Sequence, residues 1–110
     1  MGRRYLVEHQ EAEDGSWRYD RYSDGWLELR IQYKVSSPTR DFSGFISFPV
    51  SFADTNYSCY VQPFKTNGDA VFRTATGDLY GRETNGAYCG WFSEGSPIEG
   101  MIIEAKGFAA

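Results

Sequence analysis

Residues 26–35 read WLELRIQYKV, and from position 27 onward every second side chain is apolar. A period of two is typical of a strand with one buried and one solvated face, whereas an amphipathic helix would repeat every 3.6 residues. The apolar face of this stretch carries Leu27, Leu29, Ile31, Tyr33 and Val35. The stretch therefore predicts a half-buried strand, and it sets the pattern for the rest of the chain.

Similar alternation, bounded by Gly, Pro and Asn turns, predicts further strands along the whole sequence, and no window favours a helix. Pro49 cannot donate to a ladder and marks an edge or the end of pairing. Asn67-Gly68 and Asn85-Gly86 predict type I′ hairpin turns, in which both central residues need positive φ. The further predicted strands are residues 5–9, 17–22, 42–52, 57–64, 70–74, 79–84, 88–92 and 101–108. The fold class is all-β, a small antiparallel β-sandwich of about eight strands.

Composition narrows the class of protein. The 110 residues suffice for one core, and 41% of them are hydrophobic, which is too many for a disordered chain. A net charge of −4 argues against nucleic acid as a partner. The sequence contains neither an apolar run of membrane-spanning length nor a signal-peptide core, so we expect no membrane insertion. The unusual feature is an aromatic content of 17%.

Metal and thiol chemistry is not indicated. Cys59 and Cys89 are the two cysteines, and their spacing matches no zinc motif. A disulfide between them is an alternative, but two cysteines in predicted strands favour buried free thiols. The single histidine, His9, is expected to be a solvated residue at a strand end. We therefore predict no metal site and no cofactor.

A glycosidase would need two carboxylates about 5–10 Å apart. Asp24 with Glu28 and Asp78 with Glu83 are the candidate pairs, but all four fall at predicted turns or on solvated faces, where acidic residues are ordinary. The sequence predicts no catalytic residues and a protein that is not an enzyme.

The aromatic residues divide into two sets. Phe42, Phe48, Phe52 and Tyr57 fall on apolar faces and are expected in the core. A second set lies near turns or on opposite faces, where rings beside polar groups serve recognition of saccharides or proteins. Burial of such rings between identical subunits explains them equally well. The surplus rings are Trp17, Tyr19, Tyr22, Tyr60, Phe64, Tyr80, Trp91 and Phe92.

Three segments in order carry a family resemblance: YSDGWLE at 22–28, GFISFPVSFADTNYS at 44–58 and IIEAKGF at 102–108. The chain, over residues 17–108, resembles the tip domain that ends many bacteriophage tail fibres, in which a Gly-Trp strand, an I-x-F-P-x-x-F strand and a closing A-x-G-Y/F strand recur. Glu28-Leu29-Arg30 stands where the family tends to have Gln-Trp-Gly, so no role of that tripeptide is carried over.

The resemblance implies a sandwich similar to the H-type lectins, assembled as a homotrimer, with residues 17–110 as the tip and residues 1–16 as an extension or shaft remnant with a possible first strand. It implies a virion protein, assembled in the bacterial host cytoplasm, that binds a host-surface glycan or outer-membrane protein during adsorption. The alternative is a structural trimerisation cap or virion decoration domain without receptor contact.

The candidate receptor-binding residues come from the predicted loops rather than from the family motifs. They combine ring faces with polar groups around the Asn85-Gly86 turn, and a second loop adds a carboxylate and an amide. The candidates are Tyr80, Arg82, Asn85 and Tyr88, followed by Asp54 and Asn56.

Overall fold

The computed structural model describes residues 3–65 and 75–110, which form eight strands and no helix. The predicted strand at 70–74 and the Asn67-Gly68 turn lie outside the described residues. The strands are β1 Leu6–Glu11, β2 Trp17–Tyr22, β3 Trp26–Thr39, β4 Asp41–Ser47, β5 Ser58–Phe64, β6 Ala75–Glu83, β7 Gly86–Ser93 and β8 Ile98–Phe108.

Two antiparallel sheets make up the fold. The first has five strands in the order β1-β2-β3-β8-β5, and the second has three in the order β4-β7-β6. The connections are therefore not those of a simple meander, since β3 pairs with β8 near the other end of the chain. The all-β sandwich predicted from the alternation is confirmed.

The strand at 26–35 lies at the centre of the five-stranded sheet. Leu27, Leu29 and Ile31 are buried between the two sheets, as the alternation predicted, and the strand continues to Thr39. Across the register they lie opposite Gly107, Ala105 and Ile103 of β8. The inward faces of β3 and β8 thus form the floor of the core.

Trp91 of β7 fills the other side of the core. It is fully buried, its indole N–H donates to the Thr39 carbonyl at 2.9 Å, and its ring stacks on Phe42 with centroids 4.8 Å apart. Trp91 was assigned from the sequence to the surplus rings, and this assignment is wrong. Its position in the register opposite Phe42 places it on the inward face.

Two local predictions are also wrong. The strand expected at 42–52 ends at Ser47, just before Pro49, and only an isolated bridge from Phe52 to Ala109 follows. The β6–β7 hairpin exists, but its two-residue turn is Thr84-Asn85, and Gly86 already pairs with Glu83. Neither Asn85 nor Gly86 has positive φ, so the turn is not type I′.

Candidate recognition surface

The outer face of the three-stranded sheet carries a cluster of exposed rings, here called the aromatic cluster: Phe45, Tyr80 and Tyr88. Their exposed fractions are 39%, 56% and 42%. The Tyr88 centroid lies 4.9 Å from that of Phe45 and 6.4 Å from that of Tyr80. Rings in mutual contact at this exposure present a continuous apolar surface with hydroxyl groups on two of its three members.

Pairing and two glycines build the cluster. Phe45 of β4 lies directly opposite Tyr88 of β7 in the register. A Cβ at Gly86 would lie 2.4 Å from the Phe45 ring, and a Cβ at Gly81 would lie 3.0 Å from the Tyr88 ring. Glycine at 86 is therefore required by the close approach of the Phe45 ring and of the Ile46 carbonyl, 2.5 Å from such a Cβ, rather than by the turn conformation that the sequence suggested.

Arg82 is separated from the cluster by an irregularity in β6. The register shifts between Leu79 and Gly81, so Tyr80 is an extra residue and Arg82 falls opposite Ala87, on the inward side of the sheet. Its guanidinium donates to the Tyr57 carbonyl at 3.0 Å. Of the four candidates around the turn, the structure brings Tyr80 and Tyr88 together and turns Arg82 towards the loop before β5.

The remaining candidates lie at the end of the sandwich where that loop meets the β6–β7 turn. Asn85 is exposed and its carbonyl accepts from the Phe48 amide at 2.8 Å. Asp54 and Asn56 are exposed too, and the Asp54 carboxylate accepts from the Asn56 amide at 2.9 Å, an Asx turn. Polar groups thus surround this end, while the rings lie on the sheet face.

Tyr57 joins the loop to the turn. Its hydroxyl donates to the Glu83 carbonyl at 2.7 Å and lies 3.0 Å from the Gly86 carbonyl. Burial raises the pKa of Tyr57 to about 12, so the hydroxyl stays protonated and keeps donating. The backbone of the loop and of the hairpin is therefore fixed by one buried side chain.

The carboxylates considered for catalysis have ordinary surroundings. Glu28 accepts from the Trp26 indole N–H at 3.1 Å, and Asp24 pairs with Arg4 at 2.6 Å, which holds the pKa of Asp24 below its usual value. Asp78 and Glu83 are exposed on β6. The described part of the chain contains no group of three or more His, Cys, Asp or Glu residues able to hold a metal ion.

His9 does not lie at a strand end. It lies within β1, and its imidazole contacts the carboxylates of Asp20 at 2.5 Å and Glu11 at 3.4 Å. Hydrogen bonds that these two carboxylates accept from the imidazole, that of Asp20 first, raise the pKa of His9. The side chain is solvated, as expected from the sequence, but it is held by ionic partners.

Both cysteines are free thiols, as the sequence favoured. Cys89 is buried and Cys59 half-buried. Burial raises the pKa of Cys59 to about 11 and that of Cys89 to about 12. Thiols that stay protonated at neutral pH are poor nucleophiles and poor metal ligands.

Sequence reasoning missed Phe45 as part of this cluster, although alternation with the inward residues Phe42 and Phe48 puts position 45 on the outward face. The sequence does contain a signal. Phe45 lies between Ser43 and Ser47 on the same strand face, and a face that carries two serines is expected to be solvated. One such ring is ordinary on a protein surface, and the patch arises only because strand pairing brings Tyr88 and Tyr80 beside it.

The architecture defines the class of protein as a two-sheet antiparallel β-sandwich, and within the described residues no helix is long and apolar enough to cross a membrane. The sequence matches no family model and no curated protein. Solved structures of pyocin tail fibres share its fold, so the predicted resemblance to tail-fibre domains is confirmed for the fold.

An N-truncated R2-type pyocin tail fibre aligns with 92% of this chain at a TM-score of 0.61 and 21% identity, and the chain spans 38% of that fibre. An N-truncated R1-type pyocin tail fibre aligns with 93% at a TM-score of 0.63 and 16% identity, and 87% of it is covered. A C-terminal portion of the P. aeruginosa R1 pyocin fibre gives the same score and identity, with 28% of it covered.

Proposed function

We propose that this chain is the receptor-binding tip of a phage-type tail fibre, and that it binds a glycan or an outer-membrane protein on the surface of the host cell. The observation that carries the proposal is the fold, which pyocin tail fibres share over more than nine-tenths of the chain. The order of the three sequence segments that resemble fibre tips supports it independently. In this proposal the protein has no catalytic role.

The aromatic cluster is the proposed contact surface. Flat ring faces pack against the C–H surface of sugars or against apolar side chains, and the hydroxyls of Tyr80 and Tyr88 orient the ligand by hydrogen bonds. Asn85, Asp54 and Asn56 supply further polar groups at the adjoining end of the sandwich. Arg82 acts indirectly, because it holds the loop backbone through the Tyr57 carbonyl.

The tip functions as a homotrimer within the virion, after assembly in the cytoplasm of the bacterial host. Residues 17–110 form the tip, and residues 1–16 extend it towards a shaft. Three copies of a chain with net charge −4 carry −12. Bulk attraction to phosphate-rich surfaces is therefore unfavourable, so recognition depends on local shape and hydrogen bonding, and repeated weak contacts give avidity.

A structural trimerisation cap or virion decoration domain is the second candidate. The observation that favours it is the presence of two exposed phenylalanines, Phe45 and Phe92, on the same sheet, with exposed fractions of 39% and 47%. Phenylalanine offers no polar group to a ligand, and burial between subunits would remove both rings from water.

Binding to intact bacteria tests the first candidate. Labelled chain is incubated with a panel of Gram-negative strains, and the Tyr80→Ala/Tyr88→Ala variant is compared with Tyr60→Ala, which removes a ring that is 69% exposed on the other sheet. We expect at least tenfold weaker adsorption for the double variant and unchanged adsorption for the control, with circular dichroism confirming that both fold. Equal adsorption of all three proteins would refute the assignment of the surface.

Measuring the oligomeric state tests the trimer, which both candidate functions require. Analytical ultracentrifugation at micromolar concentration is expected to give three times the chain mass. A strictly monomeric chain would contradict the trimeric tip and the trimeric cap together.

A further inference from the structure

The outer face of the five-stranded sheet carries two parallel rows of charged side chains that run across four strands. The rows follow from the registers of β1–β2, β2–β3 and β3–β8, which align the residues strand by strand. Row 1 consists of Glu11, Arg18, Arg30 and Glu104, and row 2 consists of His9, Asp20, Glu28 and Lys106.

The centre of each row places like charges directly opposite one another. Arg18 pairs with Arg30, and Asp20 pairs with Glu28. Side chains in directly opposed positions lie about 5 Å apart at Cβ, and like charges there are destabilising. The register cannot slip to relieve the repulsion, because a shift of one residue would turn Leu27, Leu29 and Ile31 out to solvent.

Contacts within the chain neutralise this pattern only in part. His9 contacts Asp20 and Glu11 in the columns nearest the edge, and Arg30 lies 3.7 Å from Glu104. Neither Arg18 nor Lys106 has an ion pair among the described residues. The two rows line a shallow groove of about 200 Å³. The face therefore has charge of both signs available to a partner.

We propose that this face pairs with the same face of a second copy of the chain, about a two-fold axis that lies in the sheet surface and runs along the rows. Such an axis reverses the strand direction and keeps the order of the strands, so that row 1 of each copy faces row 2 of the other. Arg18 then lies opposite Asp20 of the second copy, and Arg30 opposite Glu28 of the second copy.

The outer columns match in the same way. Glu104 lies opposite Lys106 of the second copy, and Glu11 lies opposite the imidazole of His9 of the second copy, so three columns bring opposite charges together and the fourth does so when His9 is protonated. A two-fold axis parallel to the strands would instead set each row against itself, with Arg18 and Arg30 facing two arginines. The charge pattern is therefore complementary to itself in one orientation only.

Apolar side chains lie on both sides of the two rows, at positions that the same two-fold axis would bring into contact. Phe108, which is 54% exposed, lies beside Trp26 beyond row 2, and half-buried Ile102 lies beside Gln32 beyond row 1. The two-fold brings Phe108 of each copy onto Ile102 of the other. The paired faces thus gain an apolar contact on each side of the charged rows.

The size of the face sets the expected strength. Five strands about 4.8 Å apart, and six residue steps of about 3.4 Å, define a patch of roughly 24 by 20 Å. This is below the standard interface size of about 800 Å² per partner, so the association is weak, and its ionic core makes it sensitive to salt. The pairing is argued from the residues of this face alone and does not depend on the proposed trimer.

Two charge-reversal variants of the full chain test the pairing. In the first, Arg18→Glu/Arg30→Glu reverses the centre of row 1, and in the second, Asp20→Lys/Glu28→Lys reverses the centre of row 2. Each variant alone opposes like charges, whereas an equimolar mixture opposes unlike charges in every central column. Sedimentation velocity from 1 to 200 μM is expected to show at least tenfold weaker pairing of each variant and restored pairing in the mixture.

A matched control separates the rows from the overall charge. Arg3→Glu/Lys65→Glu changes the net charge as much as the first variant but lies outside both rows, and it is expected to pair like the unmodified chain. Raising NaCl from 50 to 500 mM should weaken pairing of the unmodified chain at least tenfold, and this measurement needs no variant.

Dimers that persist undiminished in both reversal variants would overturn the proposal. A mixture of folded variants that does not pair would overturn it too. An unmodified chain that shows no pairing at 200 μM and 50 mM NaCl would overturn it as well. Threefold multiples that persist through the reversals would leave the tail-fibre trimer intact, so the two proposals fail separately.

Discussion

The two outer faces of the sandwich are built by the same strand alternation but carry opposite chemistry. The three-stranded sheet presents Phe45, Tyr80 and Tyr88 to solvent, whereas the five-stranded sheet presents two rows of charges. Both sheets contribute buried apolar side chains to one core. The inner faces therefore determine the fold and leave the chemistry of each outer face free to differ.

The exposed rings are the more telling of the two features. A half-exposed ring contributes little to stability, and apolar patches on a monomer favour unwanted association. The charged rows make the other outer face polar, but they place like charges directly opposite one another. Each outer face thus departs from what stability alone would favour, which is the pattern expected of functional surfaces.

The largest expected effect comes from the core that both faces share. Trp91→Ala removes a fully buried ring and the hydrogen bond to the Thr39 carbonyl. We expect the free energy of unfolding to fall by about 3–5 kcal/mol, measured by guanidinium titration.

The neighbouring Phe92→Ala is the matched control, because Phe92 points outward and is 47% exposed. It should cost less than about 1 kcal/mol. Similar losses at the two positions would show that the assignment of inner and outer faces on β7 is wrong.

The next effect concerns the end of the sandwich beside the proposed recognition surface. Tyr57→Phe leaves the buried ring but removes the hydroxyl bonded to the Glu83 carbonyl. We expect a loss of about 1–2 kcal/mol in the free energy of unfolding, because the Glu83 carbonyl loses its donor and the buried Gly86 carbonyl loses the hydroxyl 3.0 Å away. Tyr60→Phe, on the exposed outer face of β5, should leave stability unchanged, and equal values for the two variants would contradict the role given to Tyr57.

The smallest expected effect is a pH dependence of stability that comes from His9, on the charged face of the five-stranded sheet. The folded-state pKa of His9 is raised above its ordinary value of 6.5 by Asp20 and Glu11. Its stabilising contribution is therefore fully present below that value and is lost as the pH rises through the raised pKa. The stability advantage of the native chain over His9→Gln should be larger at about pH 5.5 than at about pH 8.5. An imidazole NMR titration with a midpoint below 6.5 would refute the contacts.

The sequence predicted the strands and their faces well, because a period of two is a local signal. Leu27, Leu29 and Ile31 were assigned inward correctly from alternation alone. The irregularity at Tyr80 was not predictable in this way. Strict alternation would place Tyr80 and Arg82 on the same face, but one extra residue in β6 puts Arg82 inward.

Features that depend on pairing between strands far apart in the chain could not be predicted from the sequence either. The rows of charge arise because β3 pairs with β8, some seventy residues later, in one register. Nothing local to Arg30 indicates that Glu104 lies opposite. Likewise, Asn85-Gly86 was interpreted as a type I′ turn, whereas the need for glycine at 86 comes from the Phe45 ring of another strand.

Tyrosine footprinting on the cell surface tests the central claim most directly, because both faces carry an exposed tyrosine. The chain is adsorbed to a bacterium that binds it, iodinated mildly, and analysed by mass spectrometry against the free chain. We expect protection of Tyr80 and Tyr88 in the adsorbed chain, with Tyr60 on the five-stranded sheet still modified. Protection of Tyr60 while Tyr80 and Tyr88 remain reactive would contradict it.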